Sequence, residues 1–208
     1  MHARAEYAQW LREDGLQHLR IYLDETNFNL WCCRRKGRSR VGSSPRVMQT
    51  SSKGANVNII AAMTANGVLK FQIFPRVTHT QVNEFIREIS AQGQRFVLIL
   101  DNAPSHKRAY EIPLKDGQAI KFLPAYSPIL NPIEELFSCV KAEVKRKMAE
   151  QKAHLLNVPE RITIKEHRRN ILSALVRNAF DNVKAEFCGN WERHMFSFLD
   201  DCIALRDL

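Results

Sequence analysis

Two short apolar runs that each stop at an aspartate constrain this chain more than any other feature. In Phe96-Val97-Leu98-Ile99-Leu100-Asp101 and in Ile21-Tyr22-Leu23-Asp24, an unbroken apolar stretch ends on a carboxylate. Continuous apolar runs of this length read as buried strands. A carboxylate at the exit of such a strand is held rigidly at the sheet rim, where ligand sites gather. A third acid, Glu134, falls in the first turn of an expected helix, after Ser127-Pro128-Ile129-Leu130-Asn131-Pro132-Ile133. Three carboxylates brought together in this way would hold divalent cations and suit phosphoryl chemistry on a polyanion.

The 208 residues suffice for one domain with a substantial core and no disulfide staples. The composition, 45% hydrophobic and 25% charged, is that of a globular protein and argues against disorder. A net charge of +9 points to an anionic partner, nucleic acid being the commonest. The five cysteines, at 32, 33, 139, 188 and 202, form no CxxC pair and no zinc pattern, which fits reduced thiols in an intracellular protein. Adjacent Cys32 and Cys33 fit alternating faces of a strand. No signal-peptide h-region follows Met1-His2-Ala3-Arg4, and no run is long enough to span a membrane. The expected location is nuclear in a eukaryote and cytoplasmic otherwise.

The pattern predicts a helix over 3–14, strands over 19–23 and 28–33, and a hairpin of 57–63 with 68–74 turning through Asn66-Gly67. An amphipathic helix follows over 80–92, with Thr78 or Thr80 as its cap and Val82, Phe85, Ile86 and Ile89 on one face. Strands are expected at 96–100 and 120–123. Asn131 is expected to cap a helix that has Pro132 at its first position and runs to about Met148. A connection covers 151–160, and helices are expected near 163–187 and 190–206. Strands first, then alternating helices and strands, then helices, imply an α/β fold with a mixed sheet flanked by helices. The expected organisation is an N-terminal helix and linker over 1–18, a core over 19–150, and C-terminal helices over 151–208 packing on it.

Each acid also has an ordinary reading. Asp24 can cap a turn, Asp101-Asn102-Ala103-Pro104 can be a plain strand-to-helix turn, and Glu134 can be a capping-box acid. On spacing alone, Glu25 and Glu135 fit as ligands equally well. The segment Arg34-Arg35-Lys36-Gly37-Arg38-Ser39-Arg40 carries five cations in seven residues. It reads as a solvated hairpin tip or as a phosphate-contacting loop.

Three strings together carry a resemblance: Leu23-Asp24-Glu25-Thr26, Leu100-Asp101-Asn102-Ala103-Pro104-Ser105-His106, and Tyr126-Ser127-Pro128-Ile129-Leu130-Asn131-Pro132-Ile133-Glu134. They resemble the catalytic blocks of the Tc/mariner superfamily of DDE transposases and of related bacterial insertion-sequence transposases. The resemblance covers roughly residues 19–148. It implies an RNase H-like, retroviral-integrase-like core and an enzyme that cuts and rejoins DNA with Mg²⁺ or Mn²⁺, two ions being the expected number. Carried over position by position, the catalytic and metal-binding triad is Asp24, Asp101 and Glu134, since the Asn-Pro-Ile-Glu match selects Glu134 over Glu135. Asn102, His106 and Asn131 would orient substrate or ligands. Arg34, Arg35, Lys36, Arg38 and Arg40 in the loop, and Lys141, Lys145 and Arg146 on the helix, would hold the DNA backbone. The resemblance further implies a homodimer and a helix-turn-helix region that is separate or missing here, because only about 20 residues precede the first strand. Two alternatives stand beside it: a catalytically silent DNA-binding or regulatory relative, and another RNase H-like nuclease.

Overall fold

The structure, a computed structural model, describes residues 1–30, 39–44, 56–151, 155 and 157–206. Of the strand expected over 28–33, only Phe28 is strand among the described residues, as the end of the first strand, and residues 31–33 with the cations Arg34, Arg35, Lys36 and Arg38 lie outside the described residues. Five strands form one sheet: β1 (Arg20–Phe28), β2 (Val57–Thr64), β3 (Gly67–Phe74), β4 (Phe96–Leu100) and β5 (Gln118–Phe122). Their order is β3-β2-β1-β4-β5, with β1 central. The first three form an antiparallel meander, whereas β4 runs parallel to β1 and β5 parallel to β4. Helix α2 (His79–Ala91) makes the crossover that parallel pairing requires. Its start carries a full capping box built from Thr78 and Gln81.

The side-chain alternation of the strands divides the core in two. Ile21, Leu23, Ile60, Ala62, Leu98 and Leu100 face α2, whose Val82, Phe85, Ile86 and Ile89 close a dry layer over them. On the opposite face, Tyr22, Phe28, Ile59, Ala61, Met63, Val97 and Ile99 meet the remaining helices. These are α1 (His2–Glu13), α3 (Ile133–Glu150), α4 (Ile164–Asp181), α5 (Ala185–Phe196) and α6 (Leu199–Ile203). Tyr7 and Leu11 of α1, Phe137 and Val144 of α3, Phe180 of α4 and Met195 of α5 share this single cluster. Phe71 of β3 stacks on Phe180 with ring centroids 4.5 Å apart. Among the described residues, no helix is long and apolar enough to cross a membrane.

Four local expectations are corrected. The strand that starts near residue 20 does not stop at Leu23. It continues through polar Glu25, Thr26 and Asn27 to Phe28, because each of these residues pairs with β2. Asp24 accordingly sits in mid-strand rather than at a strand exit. The hairpin loop is Ala65-Asn66, and only Gly67, at φ +134°, takes a positive φ there, so the turn is not the mirror-image type that Asn-Gly favours. A register irregularity between Ala62 and Met63 absorbs the difference. At the start of α3, the Asn131 side chain caps nothing and turns instead towards Asp24. The C-terminal helical stretch divides into three helices, with breaks at 182–184 and 197–198.

Candidate active site

Sheet register brings the two aspartates together. Arg20 pairs with Val97 and Tyr22 with Ile99, so the same parallel register carried two residues on sets Asp24 beside Asp101. Alternation gives both acids the same face, that of Tyr22 and Ile99. Helix α3 covers this face through Ile133, Leu136, Phe137 and Val140, which fixes its first turn over the strand ends. Glu134 is thereby delivered to the same place. Asp24, Asp101, Asn131 and Glu134 line one open pocket of about 410 Å³, closed on its far side by the loop from Leu123 to Pro128.

The three carboxylates stand in different environments. Asp24 is 8% exposed. It accepts hydrogen bonds from the Glu25 backbone N–H at 2.7 Å and from Asn131 Nδ2 at 3.3 Å. Among the described residues no Lys or Arg pairs with it, and burial, reinforced by the negative charges of Asp101, Glu25 and Glu134, pushes its pKa up to about 7 against the bond from Glu25. Asp101 is half-buried and held lower than usual, chiefly by its hydrogen bond with His106, despite its partial burial. The Ala103 N–H also donates to it at 2.9 Å. Glu134 is exposed in the first turn of α3 and forms no ion pair among the described residues.

His106 is the hub beneath this site. It is fully buried, with Nδ1 2.6 Å from Asp101 Oδ1 and Nε2 2.7 Å from Glu25 Oε2. Burial alone would lower its pKa, but the bonds to Asp101 and Glu25 outweigh this and raise it to about 10. His106 has ligand atoms within 4.8 Å of those of Asp24 and Asp101. Both of its ring nitrogens are turned to carboxylates, which makes it a hydrogen-bond partner of Asp101 and Glu25 in this arrangement. It is a clamp that aims Asp101. Glu25 points to the opposite face from Asp24 and serves as the far anchor of the clamp.

Glu134 and Glu135 separate cleanly. The Glu135 carboxylate pairs with His194 of α5 at 2.5 Å and does not line the acid pocket. Asn102 lines the pocket, yet its amide donates to the Leu123 carbonyl, so it ties the loop after β4 to the end of β5. Of the described basic residues, Arg146 is engaged by Glu143 and Glu150 on its own helix. Lys141 and Lys145 make no ion pair among the described residues, and Arg40 is exposed. The sequence reasoning did not foresee the Glu25–His106 pair. Strict alternation along β1 was the available signal, since it puts neighbours 24 and 25 on opposite faces. It also did not single out Tyr126, which lines the pocket with φ +55° while 94% exposed.

Residues 20–156 match the family described as DDE superfamily endonuclease. The chain belongs to that family. The solved structures similar to this DDE endonuclease domain include the Mos1 transposase paired-end complex with left transposon end, at 16% identity and TM-score 0.69 over 98% of this chain and 60% of that one. The Mos1 strand transfer complex matches at 18% identity and TM-score 0.64, covering 99% of this chain and 61% of that one. The catalytic domain of Mos1 mariner transposase alone matches at 14% identity and TM-score 0.60, over 98% of this chain and 90% of that one. At these identities the likeness establishes the fold, the RNase H-like core. The DDE domain here spans about three-fifths of the longer Mos1 transposase chains. No curated protein sequence matches it.

Proposed function

We propose that this chain is the catalytic domain of a Tc/mariner-type transposase, which cleaves DNA phosphodiesters and joins the freed 3′ end to a target. One observation carries the reading: carboxylates from β1, the end of β4 and the start of α3 converge on one open pocket. The reaction class is in-line displacement at phosphorus. A water oxygen displaces the 3′ oxygen in cleavage, and that 3′ oxygen displaces another in strand transfer.

The residues present fit divalent metal. The donors are oxygens alone, as hard Mg²⁺ or Mn²⁺ prefers. Buried Asp24, raised to about 7, pairs with no Lys or Arg among the described residues. The buried Asn131 Oδ1 has no hydrogen-bond partner among the described residues. Asp24, Asp101 and Glu134 would hold the metal. Bound there, it would supply a Lewis acid that makes water a nucleophile near neutral pH and offsets charge on phosphate oxygens. Asp24 would hold the metal in its ionised form, His106 keeps Asp101 ionised and aimed, and Asn131 Nδ2 orients Asp24. Two ions are the number we infer, by analogy with two-metal displacement sites. Mos1 complexes with Mg and with Mn support the choice of metal.

DNA is the inferred partner. The net charge of +9 supports it, as do the similar Mos1 structures that contain transposon ends. Lys141, Lys145 and Arg40, with Arg34, Arg35, Lys36 and Arg38 of the preceding loop, would contact phosphates. Such contacts set position rather than sequence preference. Recognition of specific ends would call on a helix-turn-helix region, and paired-end chemistry implies a homodimer. Nicking of duplex DNA by wild type and Asp101→Ala, with Mg²⁺, Mn²⁺ or EDTA, tests the proposal. It stands if cleavage needs metal and disappears in the variant. Metal-independent cleavage, or equal cleavage by the variant, would overturn it.

A further inference from the structure

The loop that closes the acid pocket holds an aromatic ring in a position that folding does not explain. Tyr126 is 94% exposed, so its ring buries almost nothing against the protein, and its hydroxyl makes no hydrogen bond among the described residues. It nevertheless occupies a left-handed backbone conformation, φ +55°, that aromatic residues rarely adopt. The surrounding structure enforces that conformation. Arg4 of α1 donates to the Tyr126 carbonyl at 3.2 Å and to Ser127 Oγ at 3.3 Å. Ser127 is buried, its hydroxyl donates to the Ala125 carbonyl at 3.2 Å, and its own carbonyl accepts from the Leu130 N–H at 3.1 Å. Pro124 and Pro128 bracket the segment. A firmly held loop therefore presents a free aromatic face at the rim of a pocket whose opposite wall is Asp24, Asp101 and Glu134.

Strained backbone that its surroundings maintain clusters at active sites and ligand clamps. The chemistry that matches a solvent-facing phenol ring next to a phosphate-handling site is a nucleobase, because every base has a π-face and stacks without regard to sequence. We propose that Tyr126 is the platform on which the base adjoining the scissile phosphate stacks, holding the strand end splayed towards the acids. This rests on the reading of the pocket as a DNA phosphodiester site. It adds a binding residue that the acids, His106 and the surface lysines do not supply.

The test uses a short nicked DNA duplex with the fluorescent base 2-aminopurine beside the nick. It is titrated in Ca²⁺, an oxygen-seeking ion of looser coordination than Mg²⁺. The proteins are wild type, Tyr126→Phe and Tyr126→Asn. Asparagine tolerates the left-handed backbone but lacks a ring, so that variant removes the platform without adding strain, and thermal melts verify that each protein folds. Wild type and Tyr126→Phe should quench the fluorescence alike, whereas Tyr126→Asn should lose the quenching and bind about tenfold or more weakly. Quenching and affinity unchanged in Tyr126→Asn, equal losses in Tyr126→Phe and Tyr126→Asn, or no quenching by wild type would each overturn the platform. A parallel nicking arm in Mg²⁺ separates the two readings. Wild type that quenches but never nicks supports the stacking site and defeats the catalytic assignment. Wild type that nicks while Tyr126→Asn still quenches defeats the stacking site alone.

Discussion

Glu192 and Asp24 are buried carboxylates against the same face of β1, and the protein treats them in opposite ways. Glu192 reaches from α5 to Arg20, with Oε1 2.9 Å from Nε and Oε2 3.1 Å from Nη2, and accepts the Tyr22 hydroxyl at 3.0 Å. Burial works against the Arg20 charge, yet the bond with Glu192 more than restores it. Burial, aided by the Glu192 charge, pushes the Tyr22 phenol well up, so it stays a donor. Four residues along the strand from Arg20, Asp24 has an amide and a backbone N–H for company, three further acids nearby and, among the described residues, no paired Lys or Arg. One cluster is complete within the fold and joins α5 to the sheet. The other is left, among the described residues, without a paired Lys or Arg, as the proposed cation site would need. Burial of an acid is thus not a functional signal by itself; burial without a compensating charge is.

Substitution should expose that difference. Asp24→Asn keeps the shape, removes a charge the fold does not compensate, and should abolish metal-dependent nicking while leaving the metal-free protein as stable as wild type or more so at neutral pH. A clear fall in the melting temperature would equate the two acids. Glu192→Ala should do the reverse, costing about 3–5 kcal/mol because it strands a buried guanidinium. Urea titration reads this, and a loss of less than about 1 kcal/mol would break the comparison. His106→Gln falls between them. It loses the charge that aims Asp101 and should lower nicking about 10–100-fold, the usual cost of removing a ligand's support. An unchanged rate would show that Asp101 needs no clamp.

The pH dependence sharpens the same contrast. The folded-state pKa of Asp24 is raised from 3.8 to about 7, so between those values the folded protein binds more protons than the unfolded chain. Stability of the metal-free protein from this group therefore falls as pH rises from about 4 to about 7 and is level above. His106, raised from 6.5 to about 10, contributes stability fully below 6.5 and loses it as pH rises through 10. Asp101, shifted down, contributes above 3.8 and loses its contribution in acid. Melting curves of wild type and Asp24→Asn should diverge across pH 4–7 and run parallel above. Parallel curves throughout would remove Asp24 as a strained acid. The smallest effect is expected at Arg146, whose charge is exposed and already engaged by Glu143 and Glu150. Arg146→Ala should leave the melting temperature and DNA affinity near wild type, whereas Lys145→Ala should lower the salt slope of DNA binding by about one. The opposite order would reassign the phosphate contacts.

What the sequence disclosed follows how local the cause is. The β4 run ends at Leu100 and the crossover helix starts after Thr78, because apolar continuity and a capping box act within a few residues. The third acid was legible because Asn131-Pro132 marks a helix start. The cap itself was misread, because the Asn131 amide has a better partner in Asp24, 107 residues away. Separation in sequence also hid the extension of β1. Glu25 and Asn27 have little strand propensity of their own and, with Thr26 between them, are recruited by pairing with Ile60, Asn58 and Ile59. The Glu25–His106 clamp, 81 residues apart, and the Tyr22–Glu192 bond, 170 apart, have no sequence signature at all. Which acid of each adjacent pair faces the pocket is a matter of strand and helix phase. Once the sheet is in place, that phase selects Asp24 over Glu25, and the His194 contact occupies Glu135.

The central claim is that Asp24, Asp101 and Glu134 form a divalent-cation site in which metal competes with protonation of Asp24. Calorimetric titration of Mn²⁺ near pH 6, in two buffers of different protonation enthalpy, tests it directly, because below the raised pKa of Asp24 metal binding should release a proton. Wild type should bind Mn²⁺ with proton release. Glu135→Gln should match wild type, Glu134→Gln should bind more weakly, and Asp24→Asn should lose the release. Binding without proton release in wild type, or undiminished binding in Asp24→Asn, would contradict the account.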